Sequence, residues 1–386
     1  MTRRRAFLWG MGLLAGMGTF TVVGGLRHWH QQTQAIDNQV RDFSVKGDTP
    51  LGQRALAKGL IYGAAANYTT LSSDAEFSAR FIKECGLLVP ENELKWDTLR
   101  PSPDRFDFTQ SDWLAQFAQN QGMLLRGHTL VWHEALPGWF KSKVNHQNAE
   151  KFLSDHIKTV VGRYAGKMHS WDVVNEAIEL PDDRPDGLRK SPWFEVLGPD
   201  YIDLAFRLAA EADPKALLVY NENRLEAPKF ESRRTSVLKL LERLKSKGTP
   251  VQALGMQSHI GNATWNESQA KNLRNFLKDV ASLGLKILIT EMDVIDEDMP
   301  LDTAVRDRLV AGVYEDFLSI VLDEPAVIAV LTWGLSDRST WISNYKPRND
   351  GAPVRPLPLD AELNRKLAWN AIARAFDRAP KRNPND

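Results

Sequence analysis

The sequence predicts one large α/β domain, a (β/α)8 TIM barrel, preceded by an export signal and a short tether. Three observations carry that reading. From Leu60 onward, short apolar runs alternate with longer amphipathic stretches, and eight such runs can be counted. A repeating strand–helix order calls for a parallel sheet, and eight repeats close it into a barrel. No Gly-x-Gly-x-x-Gly turn follows a strand, which counts against the nucleotide-binding form of an open, doubly wound sheet. No internal repeat, low-complexity segment or second domain interrupts the pattern.

The elements follow in chain order. Arg3-Arg4-Arg5-Ala6-Phe7-Leu8 precedes a Gly-rich, uncharged run from Trp9 to Leu26, and residues 1–26 resemble a twin-arginine export signal. No clean small-x-small cleavage site follows, and the run is long enough to span a bilayer. A cleaved signal and a retained anchor therefore both stay open, the anchor being the one link to a membrane. Twin-arginine cargo leaves the cytoplasm already folded, which suits a chain whose single cysteine, Cys85, excludes an intrachain disulfide. Cys85 sits among apolar residues and reads as a buried small hydrophobe. Residues 27–55 are polar and unpatterned and read as a tether; residues 56–378 hold the barrel.

Strands are predicted at 60–66, 87–89, 123–132, 170–175, 216–220, 251–257, 286–290 and 327–333. Helices are predicted between them at 74–84, 149–164, 201–211, 231–247, 268–283 and 303–322, with a last one at 361–375. In the 201–211 stretch, Ile202, Ala205, Phe206 and Ala209 share one face and leave Asp203, Arg207 and Glu211 on the other. Gly86, Gly122, Gly248 and Gly284 each fall between a helix and the next strand, the position of a C-terminal glycine cap.

Lys+Arg and Asp+Glu balance at 49 each, which argues against a nucleic-acid partner. Twelve tryptophans offer flat surfaces for ligands as well as core volume. Side chains at the C-terminal ends of barrel strands converge on one face. Strand two delivers Glu91, Asn92 and, just beyond, Lys95 and Trp96; strand three ends near His128, Trp132 and His133. Strand four delivers Asn175 and Glu176, strand five Asn221 and Glu222, and strand six Gln257 and His259. Strand seven, Ile287-Leu288-Ile289-Thr290, runs straight into Glu291 and Asp293, and strand eight ends at Trp333, with Trp341 in the following loop. A single strand-end histidine or asparagine is more often structural than catalytic. A mouth supplied by seven strands with carboxylates, amides, imidazoles and indoles is harder to read that way.

This set suits glycoside hydrolysis, which needs two carboxyl groups flanking the scissile bond, amides for hydroxyls and flat surfaces for sugar rings. Glu176 and Glu291 are the best pair, on strands four and seven across the mouth. A neutral His259, oriented by Asp293, is expected to donate to Glu291 and hold it ionised. Glu176 is then the partner that protonates the leaving oxygen.

The motifs WDVVNEA (171–177) and ITEMD (289–293) resemble those around the acid/base and the nucleophile in family 10 glycoside hydrolases, the endo-1,4-β-xylanases. PENELKW (90–96), RGHTLVWH (126–133) with LPGW (136–139), GMQSHI (255–260) and TWGLSDRSTW (332–341) resemble that family's other signatures, in the same order. The resemblance spans roughly 60–376. It implies Glu176 as acid/base, Glu291 as nucleophile, and Asn175 bonding the sugar 2-hydroxyl. It implies a glycone lining of Glu91, Asn92, Lys95, His128, Gln257 and His259, walled by Trp132, Trp333 and Trp341. It further implies retention of configuration and a xylan or xylo-oligosaccharide substrate.

Two departures stand out. After Trp132-His133 the family usually has a small residue and then glutamine, whereas this chain has Glu134-Ala135, which removes an expected glycone contact. After strand five it carries Asn221-Glu222-Asn223 in place of the typical Asn-Asp-Tyr, removing an aromatic contact on the leaving-group side. Another retaining barrel glycanase, a cellulase or mannanase, shares the Asn-Glu pair on strand four and stays open, as does a non-catalytic glycan-binding protein. A metal-dependent barrel hydrolase would place His-x-His at the first strand; here His28-Trp29-His30 lies in the tether. No metal or cofactor is expected, and the chain is expected to act as an exported monomer.

Overall fold

The structure, a computed structural model, describes residues 41–261 and 263–382. The predicted export signal and most of the predicted tether lie outside the described residues. Contacts divide the chain after Ser44, and the barrel unit begins at Val45.

Eight parallel strands form the barrel: β1 (Ile61–Ala66), β2 (Leu87–Pro90), β3 (Leu124–Gly127), β4 (Ser170–Asn175), β5 (Leu217–Glu222), β6 (Ala253–Met256), β7 (Lys286–Val294) and β8 (Val327–Thr332). Their order is β6-β5-β4-β3-β2-β1-β8-β7, and pairing of β7 with β6 closes the ring. Each strand is followed by a helix: α1 (Ala75–Glu84), α2 (Thr109–Asn120), α3 (Ala149–Arg163), α4 (Tyr201–Ala212), α5 (Glu231–Ser246), α6 (Glu267–Ser282), α7 (Thr303–Val321) and α8 (Leu367–Arg378). The fold is the predicted (β/α)8 barrel.

The strands read as continuous apolar runs because helices cover one face and the barrel interior the other. All six residues of β4 are buried. Inside the barrel Ala65, Leu87, Val89, Val219, Ala253, Leu288, Ala329 and Leu331 pack together beneath Trp333. Small residues are required where large ones fill the ring. A Cβ on Gly127 would meet Trp171 Cε3 at 2.0 Å, so only glycine fits beside that indole. Side-chain caps start several helices: Asp74 accepts from Phe77 N, Asp302 from Val305 N, and Asn266 forms a reciprocal box with Gln269.

Several predicted boundaries move. Residues 51–55, which the sequence assigns to the tether, form with Leu56 a short helix in which Leu51 and Ala55 are fully buried. Buried Glu84 is the tie: its carboxylate accepts from Leu51 N, Trp369 Nε1 and Arg365, joining this helix to α1 and α8. The third strand stops at Gly127 rather than 132; the chain still follows β4 through Leu130 N→Asp172 O, but as a loop that turns His128 and Trp132 into the mouth. The seventh runs on to Val294 because a two-residue strand, His259–Ile260, pairs with Asp293 and Val294.

Helix α2 is not among the predicted elements, and α8 starts at Leu367 because Asp360 turns residues 360–364 by accepting from Glu362 N and Asn364 N. Gly122, Gly248 and Gly284 have the positive φ of a glycine cap. Gly86 instead donates to Tyr62 O at the start of β2, and α1 ends on extended Cys85, which is buried as expected.

Replacing Gly127 with alanine forces Trp171 or the β3–β4 pairing to move. Gly127→Ala is expected to cost on the order of 2 kcal/mol or more of unfolding free energy, read from urea denaturation. A change within about 0.5 kcal/mol would contradict the close approach.

Candidate active site

The site is built on strand ends, and ladder register decides who meets whom. The β4–β5 ladder sets Asn175 beside Asn221. A register shift in the β7–β8 ladder between Ile289 and Met292 brackets Glu291, an irregularity of the kind that re-aims a side chain.

Glu291 lies in a nest of donors. Asn221 Nδ2 donates to Oε1 at 2.7 Å, and His259 Nε2 lies 3.2 Å from Oε2. His128 Nδ1 stands 3.9 Å from Oε1. Burial by itself would raise the Glu291 carboxyl. The His259 contact, the positive potential of His128 and His259, and the Asn221 bond outweigh it and hold the group at about 2.

His259 is the hinge of this arrangement. Its other nitrogen, Nδ1, lies 3.0 Å from Asp293 Oδ1 as an ion pair. Asp293 is fully buried and accepts from Trp341 Nε1 at 2.8 Å. Burial of the ring opposes charge, but the two carboxylates raise His259 well above 6.5. The expected neutral imidazole is therefore an imidazolium. With a carboxylate at each nitrogen, only the doubly protonated ring offers a proton to both.

Glu176 is on the opposite wall. Its backbone is left-handed, φ +56°, a conformation costly for a non-glycine residue. Glu176 N donates to Asn221 O, and Arg189 Nε donates to Glu176 O, each at 2.9 Å, holding the turn. The carboxylate accepts from Gln257 Nε2 at 2.8 Å, with Asn175 Nδ2 at 3.5 Å. Asn175 Oδ1 in turn accepts from Asn221 and Gln257. An amide ladder thus connects Glu176 to Glu291. His133, 3.9 Å from Glu176, is lowered to about 4 by burial first and by Arg189 next. Glu134 is raised by burial and by the charge of Glu176.

His128 donates toward Asp172, which is paired to buried Arg126. Ligand atoms of His128, Asp172 and Glu291 lie within 4.8 Å of one another. Arg126 already neutralises Asp172, and the imidazole fills the gap between the acids. Trp333 packs edge-on to both His128 and His259, and Trp341 tilts against His259. With Glu91, held by Asn67 Nδ2 at 3.0 Å, the indoles of Trp333 and Trp341 line a small hollow open to solvent. Lys95 Nζ donates to Asn92 Oδ1 at 3.0 Å and lies 5.4 Å above Trp132, placing all three at the rim.

The sequence marks Asn221 only as a strand end and gives Arg189, Asp172, Arg126 and Asn67 no role. Arg126 and Asp172 lie inside recognised motifs but on buried strands. Arg189 is thirteen residues from Glu176 on a loop, and no spacing rule points to it.

The sequence matches glycosyl hydrolase family 10 over residues 51–375. The chain belongs to that family. Endo-1,4-beta-xylanase B of Thermotoga neapolitana is 37% identical over 306 residues, 77% of this chain and 84% of that one. The beta-1,4-xylanase of Dictyoglomus thermophilum is 36% identical over 75% of this chain and 82% of its own. Native xylanase 10B from Thermotoga maritima superposes with a TM-score of 0.78 at 35% identity, covering 85% of this chain and 98% of that one. Xylanase 10B from Thermotoga petrophila RKU-1, solved with xylobiose, gives 0.78 at 33% identity, covering 87% and 99%.

The charges of this family 10 site set its pH behaviour. Glu291, depressed from 4.5, contributes stability above about 4.5 that is lost as pH falls toward 2. His259, raised from 6.5, contributes stability present below 6.5 and lost as pH rises through its own higher value. At pH 6 the nitrogen-15 shifts should show His259 with both nitrogens protonated and His133 neutral. Titration of His259 at or below pH 6.5 would contradict the imidazolium.

Proposed function

We infer that the chain hydrolyses internal β-1,4-xylosidic bonds of xylan with retention of configuration. A single observation carries the chemistry: Glu291 is buried yet held anionic, across an amide ladder from Glu176. In the proposed first step a Glu291 oxygen attacks the anomeric carbon and the bond to the leaving oxygen breaks. Glu176 gives its proton to that oxygen, leaving a glycosyl ester on Glu291. Glu176, now anionic, takes a proton from water as that water attacks the same carbon and releases Glu291. Two inversions restore the original configuration.

Asn175 is assigned to the sugar 2-hydroxyl beside the nucleophile. Glu91, Asn92, Lys95, His128 and Gln257 are assigned to glycone hydroxyls, with Trp132, Trp333 and Trp341 as flat walls. His259 and Asp293 act through Glu291. The names of the relatives and the xylobiose in the Thermotoga petrophila structure support xylan as the polymer.

Glu176→Gln is expected to lower kcat/KM on xylan by about 10²–10⁴-fold, with Glu291→Ala losing at least as much. Proton NMR of wild-type products should show the β-anomer first. Near-wild-type turnover by Glu291→Ala, or faster cleavage of carboxymethylcellulose than of xylan, would overturn the assignment.

We propose further that the enzyme acts outside the cytoplasm as a monomer, exported on Arg3-Arg4-Arg5 and the following apolar run. Replacing Arg3, Arg4 and Arg5 with lysine should strand folded, active enzyme in the cytoplasm. Unchanged export would exclude the twin-arginine route.

A further inference from the structure

Glu222, the last residue of β5, is fully buried and has no part in the double displacement. Its Oε2 accepts from the Tyr220 hydroxyl and, at 3.1 Å, from Ile178 N; its Oε1 accepts from Asn223 N at 3.1 Å and Arg233 Nη1 at 3.3 Å. Arg233, on α5, also donates to Ile178 O at 2.6 Å and reaches Glu179 Oε2 at 3.5 Å. Arg189 pairs with the same Glu179 at 2.8 Å while donating to Glu176 O. Both backbone groups of Ile178, the carbonyl of Glu176 and the side chain of Glu179 are thus gripped by one ionic network whose inner members, Glu222 and Arg233, are buried. The turn so gripped holds Glu176 in its left-handed backbone.

We propose that Glu222 is a positioning residue for Glu176, anchoring through Arg233 and Ile178 the turn that aims the acid/base carboxyl at the leaving oxygen. This rests on the assignment of Glu176 as acid/base. A mere core carboxylate would be expected to bond within its own strand and helix, whereas Glu222 bonds across to the segment that bears the catalytic group.

The network is also electrostatically coupled to the site. Glu222 is pushed up to about 7 by burial above all, with the charge of Glu176 adding to it and Arg233 and Tyr220 opposing. The charged or titratable groups around the pair are Tyr220 on β5, Tyr201 on α4, Arg233 on α5, Glu179 and Arg189 on the loop after β4, and His133 and Glu134 beyond β3.

The test compares wild type, Glu222→Gln, Glu222→Asp and Glu176→Gln on aryl xylobiosides and on xylan. A 2,4-dinitrophenolate departs without a proton, so its kcat/KM is blind to the acid, whereas the xylan leaving oxygen needs it. For Glu222→Gln, kcat/KM on xylan should fall about tenfold or more while the dinitrophenyl xylobioside stays within about threefold. Glu222→Asp, which keeps the carboxylate, should recover most of the loss on xylan. Equal losses on both substrates would mark Glu222 as a structural residue only and overturn the proposal, as would no loss on either. If Glu176→Gln itself shows no dependence on the leaving group, the acid/base assignment fails first, and separately.

Discussion

An imidazolium held between two buried carboxylates is the interaction on which the mouth of this barrel depends. A carboxylate withdrawn from water is costly unless donors and charge replace the lost hydration. His259 supplies a donor to Glu291 at 3.2 Å and pairs its charge with Asp293 at 3.0 Å. Asn221 and Trp341 add one neutral donor to each acid. The same device recurs one layer back, where Arg126 neutralises Asp172 and Asp172 orients His128 toward Glu291. The nucleophile is thus charged because of what surrounds it, not because it is exposed.

Backbone geometry makes that arrangement achievable. The two-residue strand His259–Ile260 pairs with the end of β7, fixing the imidazole beside Asp293 and Glu291. Ser258, immediately before it, has φ +65°, so the chain turns sharply out of β6 to reach that pairing. A Cβ on Gly255 would meet Asn221 Oδ1 at 2.2 Å, so the absence of a side chain on β6 leaves room for the amide that touches both Asn175 and Glu291. Packing in the ring and chemistry at its rim are in this sense one constraint.

Glu176 and Glu291 show how one residue type is given two environments. Glu291 sits within β7, at an irregularity of its ladder with β8, and is surrounded by donors that favour its anion. Glu176 sits on a strained turn, supported from behind by Arg189 and by the network through Glu222, with Gln257 as its strongest side-chain partner. The departures from the family pattern fall around this second carboxylate: Glu134 approaches it from the loop after β3, and Glu222 lies beneath it.

The sequence by itself determined the eight strands and seven of the eight helices, the convergence of Glu176, Glu291, Asn175, Gln257 and His259, and the kinship their motifs express. Hydrophobic periodicity and the strand-end rule are local signals, and they survive without coordinates. Strand ends shifted wherever a few long-range bonds outweighed the local pattern, as with β3 leaving its ladder and β7 gaining the His259–Ile260 pairing. Only the tertiary structure decided the charge on His259, the amide ladder between the two carboxylates, and the parts played by Arg189, Arg233 and Glu222. Protonation depends on the summed field of groups far apart in the chain, and an ion pair between a loop and a distant helix leaves no period to read. The residues that do the chemistry were therefore legible, and those that hold them in place were not.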